Sequence, residues 1–268
     1  MPLPISAYML TRDNERSVER ALRSLAFADE IVVVDSHSGD RTPEIARACG
    51  ARVIQRPWPG FREQYQFAAD QCQHEWALFL DADEEIAAPL AAEMRAALEA
   101  NAARPTDEQV QGFHLHRRTF YLDRWILHGG WLPDYEVRLY HRPSGNWQGA
   151  LHAKIHVNGR VAHLHHFVYH YTYDNLSEQL RTIDDYSSTA AADLDSAGGR
   201  FRLFRLLLNP PFRFLKEYLL KRGFLDGMPG LIIAVNTMFY VFNKHAKLWE
   251  RQRCRPGLVA ERKAQKPE

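Results

Sequence analysis

The chain has 268 residues, of which 46% are hydrophobic and 25% charged, with a formal net charge of +1. Those values suit a globular protein with a sizeable core and give no overall attraction to nucleic acid. Three well-separated cysteines, Cys49, Cys72 and Cys254, form neither a CxxC pair nor an even framework, which suits a reducing compartment and offers no zinc site.

An apolar run from Leu3 to Leu10 reads as a first strand, and Met1 to Tyr8 lacks the basic and long apolar regions of a signal peptide. The polar turn Thr11 to Glu15 leads to Val18, Leu22 and Leu25 at helical spacing. Ile31 to Val34 is continuously β-branched, as in a parallel strand buried on both faces. It stops at the loop Asp35-Ser36-His37-Ser38-Gly39-Asp40-Arg41-Thr42, after which Pro43 opens a helix. Ala51 to Ile54 reads as a third strand, Phe61 to Cys72 as a helix and Trp76 to Leu80 as a fourth strand. Strands alternating with helices at this pitch predict an α/β fold whose sheet is mostly parallel and flanked by helices.

The fourth strand ends on Asp81-Ala82-Asp83-Glu84-Glu85. Carboxylates so close raise each other's pKa unless they are solvated or share a cation. Ligands of open α/β sheets bind at the carboxyl ends of the strands, and Mg²⁺ takes one or two carboxylates plus substrate phosphates. The triplet therefore suits an Asp-x-Asp metal and diphosphate site; read alone, it equally suits caps for a following helix. Asp35 alone suits a turn. Together with the Thr11–Glu15 turn at a third strand end, the acids favour a site for a nucleoside and its diphosphate, since carboxylates accept from ribose hydroxyls and base N–H groups. No G-x-G-x-x-G and no P-loop occurs, which argues against dinucleotide enzymes and P-loop kinases.

Asp29-Glu30-Ile31-Val32-Val33-Val34-Asp35-Ser36-x-Ser38-x-Asp40-x-Thr42, followed by Phe79-Leu80-Asp81-Ala82-Asp83-Glu84, resembles the family 2 inverting glycosyltransferases of the GT-A fold. The likeness runs through nearly the whole chain. It is greatest to bacterial transferases of the lipopolysaccharide core type that add glucose from a UDP donor. The resemblance implies that Asp35 contacts the nucleoside, that Asp81 and Asp83 form the Asp-x-Asp pair with Asp83 the direct metal ligand, and that Thr11, Asn14 and Glu15 face the nucleotide. The register of that turn is open, because Asp13-Asn14 also fits the family's Asn-Glu pair. Relatives often carry Gln-Lys-Asn before the fourth strand, where this chain has Gln64-Tyr65-Gln66, a departure that touches the base or diphosphate contact.

Glu84 to Leu98 reads as a helix, residues 101–109 as a loop, and Phe113 to Tyr121, with His114, His116, Arg117 and Arg118 interleaved, as an exposed strand or hairpin. The stretch Gly129-Gly130-Trp131-Leu132-Pro133-Asp134-Tyr135-Glu136-Val137-Arg138-Leu139 keeps every fixed position of the resembling proteins' Gly-Trp-x-Pro-Asp-x-x-x-Arg-Leu pattern and suits an acceptor loop. Inverting transfer needs one general base for the attacking hydroxyl and cations for the leaving diphosphate. Asp134 is the candidate base with Glu136 in reserve, and Arg138 and Arg142 are candidate phosphate partners. As a residue after Pro133, Asp134 also suits an ordinary turn. Where relatives often show Val-His-Glu, this chain has Leu151-His152-Ala153, so no carboxylate serves there.

His152, His156, His163, His165, His166 and His170 cluster without zinc-like spacing. His170 falls at a His-x-x-Tyr position of the resembling proteins, near the diphosphate or metal. Leu176 to Leu194 reads as a polar helix lying across the donor site or in solvent. Gly198-Gly199 then precedes a tail in which Arg200, Arg202, Arg205, Arg213, Lys216, Lys221 and Arg222 alternate with apolar residues. That mixture suits either an interfacial helix on anionic lipid or a hairpin packed on protein, broken by Pro210-Pro211. The run Leu231 to Phe242 reads as too short to span a bilayer.

These readings divide the chain into a catalytic domain, 1–197, an amphipathic helical tail, 198–255, and a disordered end, 256–268. They imply a metal-dependent hexosyltransferase, with Mg²⁺ or Mn²⁺, acting on a UDP-sugar donor and a lipid-linked saccharide acceptor. It would be cytoplasmic and peripheral on the cytoplasmic face of the inner membrane. Transfer to polyprenyl phosphate and a non-enzymatic sugar-nucleotide-binding scaffold are the alternatives.

Overall fold

The computed structural model describes residues 3–149 and 153–254, so His152 and the end expected to be disordered lie outside the described residues. Four parallel strands form the first half of the sheet: β1 (Ile5–Thr11), β2 (Glu30–Asp35), β3 (Arg52–Gln55) and β4 (Trp76–Phe79). Helices α1 (Val18–Ser24), α2 (Thr42–Ala48) and α3 (Phe61–Asp70) connect them. Side chains alternate across a strand. Ile5, Ala7 and Met9 therefore join Leu22 and Leu25 in one core, while Tyr8 joins Val32, Val34, Ala68 and Phe79 on the other face. The register pairs Thr11 with Asp35 and Tyr8 with Phe79, which brings three carboxyl ends to one edge.

After Asp83 the chain departs from the expected helix. Glu84–Ile86 is a strand, β5, and α4 (Ala88–Ala102) begins only beyond it, with Pro89 in its first turn, where a missing N–H costs nothing. Neither Asp81 nor Asp83 caps a helix, which removes that reading of the triplet. The strands β6 (Val110–Tyr121), β7 (Arg124–Trp125), β8 (Tyr135–His141), β9 (Gly145–Gln148), β10 (Lys154–Val157) and β11 (Arg160–Tyr171) follow. The large sheet runs β3-β2-β1-β4-β8-β6-β11-β5, with β7 on the end of β6 and β9–β10 as a separate pair. β8 is antiparallel to β4 and β6, and β5 to β11, so the parallel order of the first four strands passes into an antiparallel half. β6 lies inside this half between β8 and β11 with none of its residues exposed, and its end forms a hairpin with β7. There His114 stacks on His163 at 4.6 Å with its Nδ1 left without a hydrogen bond among the described residues, and Arg117 meets carboxylates.

The chain forms two compact units, residues 1–119 with 134–172 and residues 120–133 with 173–268. α5 (Leu176–Ser196) belongs to the second unit. The polar residues of α5 are used inside that unit: Gln179 accepts hydrogen bonds from Tyr121 and Asn236, and Asp184 pairs with Lys247 at 2.6 Å. Pro210 and Pro211 sit within α6 (Leu203–Leu215) without breaking it, their fixed φ being compatible with helix. A π-turn, Lys216–Leu220, follows, and then α7 (Gly227–Arg253). The span Gly223–Arg253 has 31 residues and is predominantly apolar. By length and composition it could cross a membrane, which corrects the reading of Leu231–Phe242 as too short; the helix extends well past both ends of that run.

Candidate active site

The two loops at the ends of β1 and β2 are laced together residue by residue. Thr11 Oγ1 donates to Asp35 Oδ1 at 2.9 Å, Asp13 N to Ser38 Oγ at 2.9 Å and Asn14 N to Thr42 Oγ1 at 2.8 Å. Glu15 N donates to Asp40, and Gly39 N and Arg41 N donate back to Asp13 and Glu15. The Asp-Ser-x-Ser-x-Asp-x-Thr spacing therefore reads as a hydrogen-bonding frame. Asp13 and His37 sit at φ 55° and 56°, a region polar residues enter more readily than others. Thr11, Asn14, Glu15 and Asp35 are brought together as expected, but their polar groups serve the frame. Asp35 is fully buried and also accepts from Ser38 N and Oγ, so as the frame stands its carboxylate is no open nucleoside acceptor.

Beside this frame, the end of β4 meets the start of β8 and the ends of β6 and β11. Arg138 is almost fully buried and reaches Asp81 Oδ2 at 3.1 Å, Glu84 Oε1 at 3.1 Å and Glu136 Oε2 at 3.5 Å, with its guanidinium 4.6 Å over the Phe79 ring. Arg117 joins Glu84 at 3.2 Å to Asp134 Oδ2 at 2.7 Å. Burial and the neighbouring Glu84 raise the Asp81 pKa, although its side chain keeps 35% exposure. Burial would raise Glu84 too, but Arg138 and Arg117 outweigh it and hold that carboxyl low. Arg138, expected as a phosphate partner, here engages carboxylates, with its Nε left without a hydrogen bond among the described residues. Glu84 and Arg117 are site residues that the sequence did not single out; the acid three residues after Asp81 was the available signal.

Removing Arg138 leaves the fully buried Glu84 with Arg117 as its one remaining guanidinium partner, beside the Asp81 N–H that donates to its Oε2. Breaking a buried ion pair from one side costs about 3–5 kcal/mol, so Arg138→Ala is expected to lose about that much stability in a urea titration. An undiminished midpoint would show that the guanidinium is not what holds these carboxylates.

Arg142, the other expected phosphate partner, is placed elsewhere. β8 runs antiparallel to β4 with His141 opposite Trp76, and Arg142 N donates to Glu75 O at 2.7 Å. It therefore lies at the opposite end of β4 from Asp81, out of reach of a diphosphate there. The Gln64-Tyr65-Gln66 departure also has a packing basis. Gln64 donates to Ser36 Oγ, Tyr65 stacks on Trp147 at 4.1 Å, and Gln66 Oε1 accepts from Trp147 N at 2.9 Å.

Asp83 points differently. Its Oδ2 lies 3.3 Å from His170 Nε2, its backbone O accepts from Tyr171 N, and its Oδ1 has no hydrogen bond among the described residues. Burial disfavours the His170 imidazolium, but the bond to Asp83 and the charges of Asp83 and Glu84 outweigh it and raise its pKa. No group of three protein ligands that could hold a metal occurs among the described residues. A hard divalent ion that also takes substrate phosphates does not need one. Asp83 Oδ1 and Asp81 Oδ1 are carboxylate oxygens of the kind that Mg²⁺ or Mn²⁺ accepts beside substrate phosphates. Five carboxylates (Asp81, Asp83, Glu84, Asp134 and Glu136) here face the permanent cations Arg117, Arg138 and Lys154, so the edge favours added positive charge. Away from this edge, His165 and His166 both pair with Glu93.

In the second unit, the Gly129–Trp131 turn is held by the chain after α6. Asp226, nearly buried, accepts from Leu127 N, His128 N and His128 Nδ1, and Gly129 N donates to Lys221 O at 2.9 Å. A Cβ on Gly130 would overlap the Glu217 carboxyl, which Arg213 engages at 2.5 Å. The loop expected to meet the acceptor and the tail motif Arg222-Gly223-Phe224-Leu225-Asp226-Gly227 are thus parts of one unit.

Several known proteins are similar to this chain. A Rickettsia typhi protein described as an uncharacterized glycosyltransferase is 29% identical, with 92% of this chain and 87% of that protein covered. The lipopolysaccharide core biosynthesis glycosyltransferase LpsC of Rhizobium meliloti is 27% identical, with 96% of each covered. Among solved structures, S. aureus TarS with UDP-GlcNAc aligns over 94% of this chain and 93% of that one, at 13% identity and a TM-score of 0.49. The model of glycosyl transferase family 2 matches residues 6–153. With more than half of the chain matched, and with a sheet edge carrying the Asp-x-Asp pair, this protein belongs to glycosyl transferase family 2 and is a glycosyltransferase of GT-A-like fold.

Proposed function

We propose that the protein moves a hexose, glucose on the resemblance, from a UDP-sugar to a lipid-linked saccharide such as lipopolysaccharide core, by a single inverting displacement. The observation that carries this reading is the open Asp83 carboxylate on the same sheet edge as Asp134, each braced by a different neighbour. Similarity to LpsC, named for lipopolysaccharide core biosynthesis, supports the acceptor class. Work on such an acceptor would put the protein peripherally on the cytoplasmic face of the inner membrane.

Asp83, with Asp81, would hold Mg²⁺ or Mn²⁺ together with the substrate phosphates, and the ion when bound would neutralise the leaving diphosphate. The frame of Thr11, Asn14, Glu15 and Asp35 shapes the seat of the nucleoside. Asp134 takes the proton of the acceptor hydroxyl through Oδ1, while Arg117 fixes Oδ2 and with it the direction of the carboxylate. Glu136 is the weaker base: burial would raise its pKa, but Arg138, Arg117 and Lys154 together lower it.

Thermal unfolding with UDP-, GDP-, ADP- and dTDP-sugars, each with and without Mn²⁺, tests the donor. A ligand at about a hundred times its Kd adds about 2.7 kcal/mol to the native state. The UDP-sugar with Mn²⁺ is expected to raise Tm most; a shift with another nucleotide alone would contradict the donor assignment.

A further inference from the structure

The second unit leaves an apolar face uncovered. Leu207, Leu208 and Phe212 of α6 are 58–63% exposed, and Leu220 of the π-turn is 75% exposed. Phe204, Leu208 and Phe212 recur every four residues, so the three share one side of the helix. The stretch from Arg202 to Arg222 also carries the cations Arg202, Arg205, Lys216, Lys221 and Arg222, with Arg205 6.0 Å over the Phe204 ring, and its one acid, Glu217, is buried and paired with Arg213. An exposed apolar face of this size marks an interaction surface. A rim of cations without an exposed acid selects an anionic partner, and apolar side chains among cations suit the headgroup boundary of a bilayer.

We infer that this face of α6 and the π-turn docks the protein on an anionic lipid surface, by insertion of side chains and not by a spanning helix. α7 meets the length and composition of a span, but four of its polar residues between Asn236 and Gln252 are bound to α5 and α6. Asn236 donates to Gln179, Lys247 pairs with Asp184, Gln252 donates to Asp195, and His245 meets Asn209 at 3.3 Å. Moving α7 into a bilayer would strip those partners away, and unpaired polar groups are costly in lipid. α7 is therefore a strut on which the docking face is built. The same stretch that turns Leu220, Phe224 and Leu225 outward holds the 127–130 loop on its inner side through Asp226 and Glu217. Docking thus fixes the position of that loop near the lipid surface. The inference deepens the proposed acceptor class and rests on it only for this last step, since lipid docking does not require transfer.

The test is flotation of the full chain with phosphatidylcholine vesicles, with and without phosphatidylglycerol, beside a variant carrying Leu208→Glu and Phe212→Glu. Both positions are exposed, and circular dichroism melting checks that the variant folds. Binding is expected to anionic vesicles only, to weaken in high salt, and to fall roughly a hundredfold in the variant. Release from membranes by alkaline carbonate supports docking, whereas release by detergent alone would mean that α7 spans. No binding to anionic vesicles, equal binding by the variant, or a dimer in solution that the variant dissociates would overturn the inference. UDP binding by the variant is expected to be unchanged, so a failure of docking is distinguishable from a failure of the transferase reading.

Discussion

Replacing Asp83 with Ala is expected to lower glycosyl transfer by roughly three orders of magnitude, about 4 kcal/mol of transition-state stabilisation, while the fold survives. The fold survives because the Asp83 side chain has one partner, His170, and is 37% exposed, and its backbone bond to Tyr171 does not depend on the side chain. Transfer falls because the edge loses the carboxylate whose second oxygen is open. Steady-state rates with and without Mn²⁺, with a melting curve as control, check both halves. A variant that keeps full turnover in chelator would remove Asp83 from the metal role.

Asp134→Asn separates proton acceptance from binding. The amide keeps an oxygen for Arg117 but cannot take a proton, so kcat is expected to fall by roughly two to four orders of magnitude at nearly unchanged donor affinity. Glu136 does not substitute, since Arg138 and Lys154 engage both its oxygens. Single-turnover rates combined with UDP binding make the distinction. Unchanged turnover would move the base elsewhere, and a loss of donor affinity instead would make Asp134 part of the donor seat.

The parallel half of the sheet was legible because strands buried on both faces read as unbroken apolar runs, as at Ile31–Val34 and Trp76–Leu80. The meeting of Asp35, Asp81 and the Thr11–Glu15 turn followed from that topology alone. Side-chain direction did not follow. Asp35 and Asp81 carry the same residue type at equivalent strand ends, yet one is sealed inside a loop frame and the other paired with Arg138. Arg138 and Arg142 looked alike in the sequence. An antiparallel β8 places them at opposite ends of β4, and strand direction cannot be read from a pattern of residues. Glu84–Ile86 was missed as a strand because its partner, β11, lies more than 80 residues onward, and tertiary pairing overrides local propensity.

The most direct measurement is calorimetric titration of UDP into the unmodified protein, in Mn²⁺ and in chelator. Binding in Mn²⁺ that is lost in chelator is the expected result, because the open oxygens at Asp81–Asp83 can reach a diphosphate only through a shared cation. Equal UDP affinity in chelator would contradict the assignment of this sheet edge as a metal-bridged diphosphate site.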